Sequence, residues 1–474
     1  MRAGRGRTWV AGGRGLALTA LLGVAALLPG APATAEPAPA WGPCPAEAGA
    51  EKASCATVSV PMNYADPDGA RIEVMVSRIP ALDPARSRGA LFGNPGGPGG
   101  DSLSFWSGPS TRVPQLREFD LFAVQPRGLR WSTPLSCSSL LDIAPITDRA
   151  ACEVARPGYP ATVTSESVAR DMDAVREALG LDRISFFGVS WGTYLGAVYA
   201  TLFPGRVDKL VLDSNVDPNV SWVDQVARVP AGVADRLNDI FDWIAANDSI
   251  YGLGATREEV LAEWKRQSAS QSGGWSSPIV GATTYAAYGR SAWPYLAQGM
   301  REYRDDPEQL RFLKYLARPA AVSDMTSGWM RDATRCNEDS GLNPAALTTM
   351  AVTLLTDSDP FAQQEALMRA GITCAAWPQT TRRVPVDGAG LAVRPMLVQS
   401  PRDPATSGAP AMAAALGGDI LWVEGGDHGH FTRPNPTLNT AVLHYLRTGE
   451  FTIDSAPEAP ITTPNPPTVV PGAR

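Results

Sequence analysis

Ile184-Ser185-Phe186-Phe187-Gly188-Val189-Ser190-Trp191-Gly192 runs straight into the apolar stretch Tyr194 to Leu202. A short buried strand enters, a helix leaves, and a Gly-x-Ser-x-Gly element sits at the turn between them. Such an elbow forces a strained backbone on the serine. Small residues two positions before and after it, Gly188 and Gly192, relieve the crowding, and Gly196 lets the helix approach the sheet. Taken alone, Gly-x-Ser-x-Gly is a weak signal in a chain with 45 glycines; the strand-turn-helix context gives it meaning.

The same alternation continues on both sides. Leu91-Phe92 reads as a strand entering the loop Gly93 to Gly100, and Leu121 to Gln125 as a second strand ending at Pro126-Arg127-Gly128. Ser167 to Leu179 has helical spacing, and Lys209 to Asp213 reads as another strand. Strands alternating with helices at this spacing predict an α/β fold with a mostly parallel sheet covered on both faces. From Asp217 the texture turns helical and holds seven of the 13 tryptophans. Strand signals return at Met396-Leu397-Val398 and Ile420 to Val423, followed by a helix, Leu438 to Tyr445. The division expected is a first core segment over 36–216, a helical cap over 217–385, a second core segment over 386–455, and a loose Pro/Thr-rich tail over 456–474.

Residues 1–35 read as a signal peptide: Arg2, Arg5, Arg7 and Arg14, then the apolar run Leu16 to Leu28, then Ala33-Thr34-Ala35 before the cleavage point. The run falls short of the roughly 20 residues a membrane-spanning helix needs, so the expectation is a secreted, extracellular protein with no membrane attachment after cleavage. The formal net charge of −7 and the lack of a basic block beyond the first residues argue against a nucleic-acid partner. The six cysteines fall in sequence-local pairs, Cys44/Cys55, Cys137/Cys152 and Cys336/Cys374. Fifteen connectivities are open to six cysteines, and the local one is expected in an exported protein. Their spacing does not suit zinc, and no metal or organic cofactor is implied.

A serine hydroxyl needs a histidine base, itself oriented by a carboxylate, and in this kind of fold the chain order is serine, acid, histidine. The chain has three histidines. His444 lies on the last predicted helix. His428 and His430 follow the final strand, where the base belongs, and His428 is favoured because it follows Gly425-Gly426 most directly. Asp403, just after the strand Met396 to Ser400, is favoured as the acid over Asp213, an aspartate at a strand end that could be a turn residue. For the oxyanion, Trp191 supplies one backbone N–H. Gly97 is chosen for the other, because Pro95 and Pro98 of the same loop have none.

The combination Gly96-Gly97-Pro98-Gly99, Pro126-Arg127-Gly128, Gly188-Val189-Ser190-Trp191-Gly192, Asp403 and His428 resembles the secreted tripeptidyl aminopeptidases of high-GC bacteria, relatives of the proline iminopeptidases. The likeness covers nearly the whole chain after residue 35. It implies an α/β-hydrolase fold and a serine exopeptidase acting on peptides, with an esterase, lactonase or metabolite amidase using the same triad as the alternative. A non-catalytic binding protein is the alternative of another class, against which the retained site residues speak. The resemblance also implies cap carboxylates that hold a cationic N-terminus, for which Cys336-Asn337-Glu338-Asp339, with Glu338 foremost, is the candidate. Two departures stand out: Gln125 occupies the place of the aspartate in Asp-x-Arg-Gly, and Asp427-His428-Gly429-His430 doubles the histidine.

Overall fold

Consecutive apolar residues that must hide on opposite faces of one sheet dominate the centre of the molecule. In the computed structural model, which describes residues 38–137, 148–317, 325–339, 341–375, 377–461 and 466–469, ten strands form one sheet. They are β1 (Gly42–Pro43), β2 (Ser54–Pro61), β3 (Arg71–Ile79), β4 (Ala90–Asn94), β5 (Asp120–Val124), β6 (Ile184–Val189), β7 (Val207–Asp213), β8 (Met396–Gln399), β9 (Asp419–Val423) and β10 (Ser455–Ala456). Their spatial order is β1-β2-β3-β5-β4-β6-β7-β8-β9-β10. From β5 to β10 every pairing is parallel, and β1, β2 and β3 add an antiparallel edge.

Along each central strand the side chains alternate between two cores. Phe92, Phe186, Leu212 and Leu397 face one, with the helices Ser165–Ala178, Trp191–Leu202 and Ala409–Leu416. Leu91, Phe187, Val211 and Val398 face the other, with the helix Pro436–Thr448. A strand buried on both faces must read as a continuous apolar run, as Ala90 to Gly93 in β4, Phe186 to Val189 in β6 and Leu210 to Leu212 in β7 do. The antiparallel β2–β3 pair alternates instead: Val58, Val60, Ile72, Val74 and Val76 are buried, while Thr57, Arg71 and Glu73 are exposed.

Between β7 and β8 the described residues from Trp222 to Ala370 form ten α-helices. Much of this insertion has a core of its own, built on Ile240, Phe241, Trp264, Leu296 and Met300. The segment read as one cap over 217–385 is nevertheless divided. Met330, Ala333 and Cys336, on one face of the helix Met325–Glu338, pack with Trp377 into the sheet core beside Val168 and Trp191. The described residues accordingly make up one compact unit.

The tail also differs from its reading. Ser455 and Ala456 pair with Trp422 and Val423 as β10. Glu458 then forms ion pairs with Arg236 and Arg290 at 3.5 and 2.9 Å, and Ile461 packs on the helical core. Composition rich in Pro and Thr hid a strand only two residues long. All three expected disulfides are present, with Cα–Cα distances of 4.8 Å for Cys44–Cys55, 4.1 Å for Cys137–Cys152 and 5.2 Å for Cys336–Cys374. The signal-peptide reading lies outside the described residues, and among those residues no helix is long and apolar enough to cross a membrane.

Candidate active site

Ser190 stands between β6 and the helix Trp191–Leu202 with φ 60° and ψ −126°, a conformation that costs a non-glycine residue roughly 1–3 kcal/mol. Its surroundings hold it there. Ser190 N–H donates to Asp213 O at 3.0 Å, and its carbonyl accepts from Thr193 Oγ1 at 2.7 Å. The flanking glycines are required by space. A Cβ on Gly188 would sit 2.2 Å from Gly192 O, one on Gly192 would sit 2.8 Å from Asn94 O, and one on Gly196 would press into the Phe186 ring.

The loop after β9 brings a histidine to this corner. His428 Nδ1 lies 2.9 Å from both Asp403 oxygens, and the two side chains are 10% and 0% exposed. Asp403 Oδ1 also accepts from the N–H groups of Ala405 and Thr406, and Oδ2 from Thr406 Oγ1. Burial pushes this carboxyl up, but the His428 ring and these hydrogen bonds outweigh it and hold it below the usual carboxylate range. It therefore stays ionised, with its position fixed.

Asp213, the rival acid, has a different task. Its Oδ2 accepts from the backbone N–H of His430 and Phe431 at 2.7 and 2.8 Å. Next to it, Ser214, at φ 62°, accepts Gly429 N–H at 2.7 Å. The end of β7 thus clamps the histidine loop, and a Cβ on Gly429 would lie 3.3 Å from Val189, the residue before Ser190. His430 is buried under this clamp with Nε2 unpartnered, and burial holds its pKa below the ordinary histidine value.

The glycine loop lies against the elbow. A Cβ on Gly96 would fall 2.3 Å from Val189 O and 3.1 Å from Trp191 N, so the loop backbone reaches the nucleophile's own peptide. Gly97, Ser190 and Trp191 line one small cavity of about 70 Å³ together with Trp222, Tyr288 and Arg335. A larger cavity of about 590 Å³ shares Trp222, Tyr288 and Arg335 and continues past Arg331, Asp332 and the Cys336–Cys374 disulfide.

Three residues of this site carried no readable signal in the sequence. Tyr288, following the helix Pro278–Ala287, accepts His428 N–H on its carbonyl at 2.9 Å and packs its ring edge-on against the imidazole. Trp222 and Arg335 come from other helices of the insertion, and only the folded chain unites them.

Glu338 is placed elsewhere than its reading required. It is 3% exposed, its Oε1 accepts Ser165 N–H, and its Oε2 accepts Trp222 Nε1 at 2.8 Å. Burial raises its pKa against those hydrogen bonds. Both oxygens are spent on bracing the wall behind Trp222, and Glu338 does not line the cavity. Asp339 similarly accepts the Trp222 backbone N–H.

Comparison with known proteins agrees with this architecture. Residues 90–326 match the family model described as alpha/beta hydrolase fold, and residues 359–456 match the one described as TAP-like protein. The chain is 32% identical to a tripeptidyl aminopeptidase of Streptomyces lividans, over 97% of this chain and 92% of that protein. It is 26% identical to the serine protease Hip1 of Mycobacterium tuberculosis, over 86% of this chain and 88% of that one. A carboxylesterase B of the same organism is 28% identical, over 89% and 90%. With its parallel sheet, its serine at the β6 elbow and these relatives, the chain belongs to the tripeptidyl aminopeptidase-like family of α/β-hydrolases and is a serine peptidase.

Proposed function

We propose that this protein is a secreted exopeptidase that releases short peptides, tripeptides foremost, from free N-termini through an acyl-enzyme on Ser190. Ser190 Oγ attacks the scissile carbonyl while His428 Nε2 takes its proton, and Asp403 holds Nδ1–H and stabilises the imidazolium that forms. The carbonyl oxygen becomes an oxyanion between the N–H groups of Trp191 and Gly97. His428 then protonates the leaving amine, and a water molecule, deprotonated by the same ring, releases the acyl group.

The observation that carries this reading is His428 held at 2.9 Å by an ionised, fully enclosed Asp403 beside the strained Ser190 elbow. Ser190 Oγ has no hydrogen-bond partner among the described residues, and such contacts commonly tighten only around substrate. A cavity of about 590 Å³ suits a few residues of peptide rather than a long chain. Asp332, which shares a long 3.5 Å ion pair with the more exposed Arg331, is the carboxylate among its described lining residues, and the substrate's ammonium is assigned to it in place of Glu338. Export is supported by the three disulfides.

The test is a panel of peptide arylamides, free or acetylated at the N-terminus, beside short-chain aryl esters. A free N-terminus should raise kcat/KM about ten- to hundredfold, and Asp332→Asn should remove most of that difference. Equal cleavage of blocked and free peptides would sink the exopeptidase reading. The second reading, an esterase, is favoured by the likeness to a carboxylesterase, and cleavage of esters alone would establish it.

A further inference from the structure

The buried arginines among the described residues have partners. Arg127 meets Asp171 at 2.6 Å, Arg176 meets Asp173 at 2.6 Å, and Arg236 meets Asp239 at 2.6 Å and Asp427 at 3.2 Å. Arg383 lies over the rings of Tyr194 and Trp222. Arg335, partly buried, has no such partner. Its guanidinium makes no hydrogen bond or ion pair with any described residue; its Nε is enclosed without a partner, as are those of Arg78, Arg236, Arg290 and Arg383, but each of those four has another nitrogen engaged. Asp332, one turn earlier, is engaged by Arg331 at 3.5 Å. Burial, with Arg331 adding to it and Asp332 and Tyr288 opposing it, pushes the Arg335 pKa down to about 10, so the group is still charged at neutral pH.

Its position gives the missing partner a place. Arg335 lines both the small cavity that holds Ser190, Gly97 and Trp191 and the larger one that continues it. The helix that carries it, Met325–Glu338, is fixed at both ends. Ser327 Oγ donates to Gly99 O at 2.7 Å on the glycine loop, and Cys336 is bonded to Cys374. A partly buried guanidinium fixed in the wall of the Ser190 cavity, with its Nε sealed and its terminal nitrogens making no hydrogen bond to a described residue, can give those donors to an incoming anion. The flat two-pronged donor set fits a carboxylate.

We propose that Arg335 forms a carboxylate subsite within the Ser190 cavity, so that preferred substrates carry a carboxylate beside the scissile bond. The proposal rests on Ser190 being the nucleophile. The carboxylate can come from two sources, an acidic side chain on the residue that supplies the scissile carbonyl or the free C-terminus of a short peptide.

Two matched substrate pairs separate the sources. The first is a set of tripeptidyl arylamides differing only as Glu or Gln at the residue joined to the arylamine. The second is a set of short unblocked peptides with a free or an amidated C-terminus. The wild-type enzyme should favour the carboxylate member of one pair by roughly tenfold or more in kcat/KM. Arg335→Met should bring that ratio to about one, and Arg335→Lys, which keeps the charge but loses the fork, should leave an intermediate ratio. Wild-type ratios near one in both pairs would overturn the proposal without any variant, and a ratio unchanged in Arg335→Met would overturn it too. Hydrolysis that depends on Ser190 but ignores the carboxylate sinks this inference alone. Absence of any Ser190-dependent hydrolysis sinks the proposed function with it.

Discussion

His428 and His430 are two residues apart and meet opposite environments. One ring nitrogen of His428 faces a carboxylate, and His430 is sealed under the Asp213 clamp with Nε2 unpaired. Ser190→Ala and His428→Ala should each lower kcat on the order of 10⁴–10⁶-fold with the fold intact, and His430→Gln should cost less than about tenfold. Kinetics on the purified variants decide between them. The histidines also predict a pH effect on stability. His430 has a folded pKa below its unfolded value of about 6.5, so the unfolded chain binds a proton that the folded chain does not. Stability should therefore fall as pH drops below about 6.5, and urea melts at stepped pH should show His430→Gln flattening that fall. Asp403 has the ordinary carboxylate sign. Its stabilisation is present above about pH 3.9 and is lost as pH falls through its lower folded value.

At the scale of elements, the β6 elbow was legible because its chemistry is local: an apolar run, small residues at fixed offsets and a helix start lie within a few residues of one another. The strands β4, β7, β8 and β9 were legible for the same reason, each being a short apolar run bounded by turn residues. Gly188→Ala tests that logic. Its methyl would meet backbone at 2.2 Å, so the elbow must distort, and the variant should lose nearly all labelling by a serine-directed fluorophosphonate. The cavity wall was illegible because Trp222, Tyr288 and Arg335 share no spacing; tertiary packing alone unites them. Glu338 was misread for a related reason. Its sequence neighbourhood announces charge and a disulfide but not the direction the side chain takes, which is set by Ser165 and Trp222 far along the chain. Replacing Cys336 and Cys374 together by alanine should cost about 2–4 kcal/mol in denaturant unfolding, since the bond closes a loop with a sequence separation of 38.

Across the whole molecule, the first and last strands form the two opposite edges of the sheet. The antiparallel β1–β3 edge escaped the reading although Val58, Val60, Ile72, Val74 and Val76 alternate as a half-exposed strand pair should. At the opposite edge, two residues of β10 and the carboxylate of Glu458 bind the C-terminal segment to both the sheet and the helical insertion. Truncation after Asp454 removes Glu458 from the enclosed Arg236 and strips the partner of β9. It should destabilise the protein by about 1–3 kcal/mol, read as a lowered denaturant midpoint. A molecule with a loose tail would show no change.

The central claim is that Ser190 releases short peptides from free N-termini. Mass spectrometry of the products from one unblocked peptide and its N-acetylated twin, with wild-type enzyme and Ser190→Ala, tests it most directly. The account predicts successive N-terminal fragments, tripeptides foremost, from the unblocked peptide and the wild-type enzyme, and only traces from the acetylated peptide or the variant. Internal cleavage of both peptides alike, or the same fragments from Ser190→Ala, would contradict it.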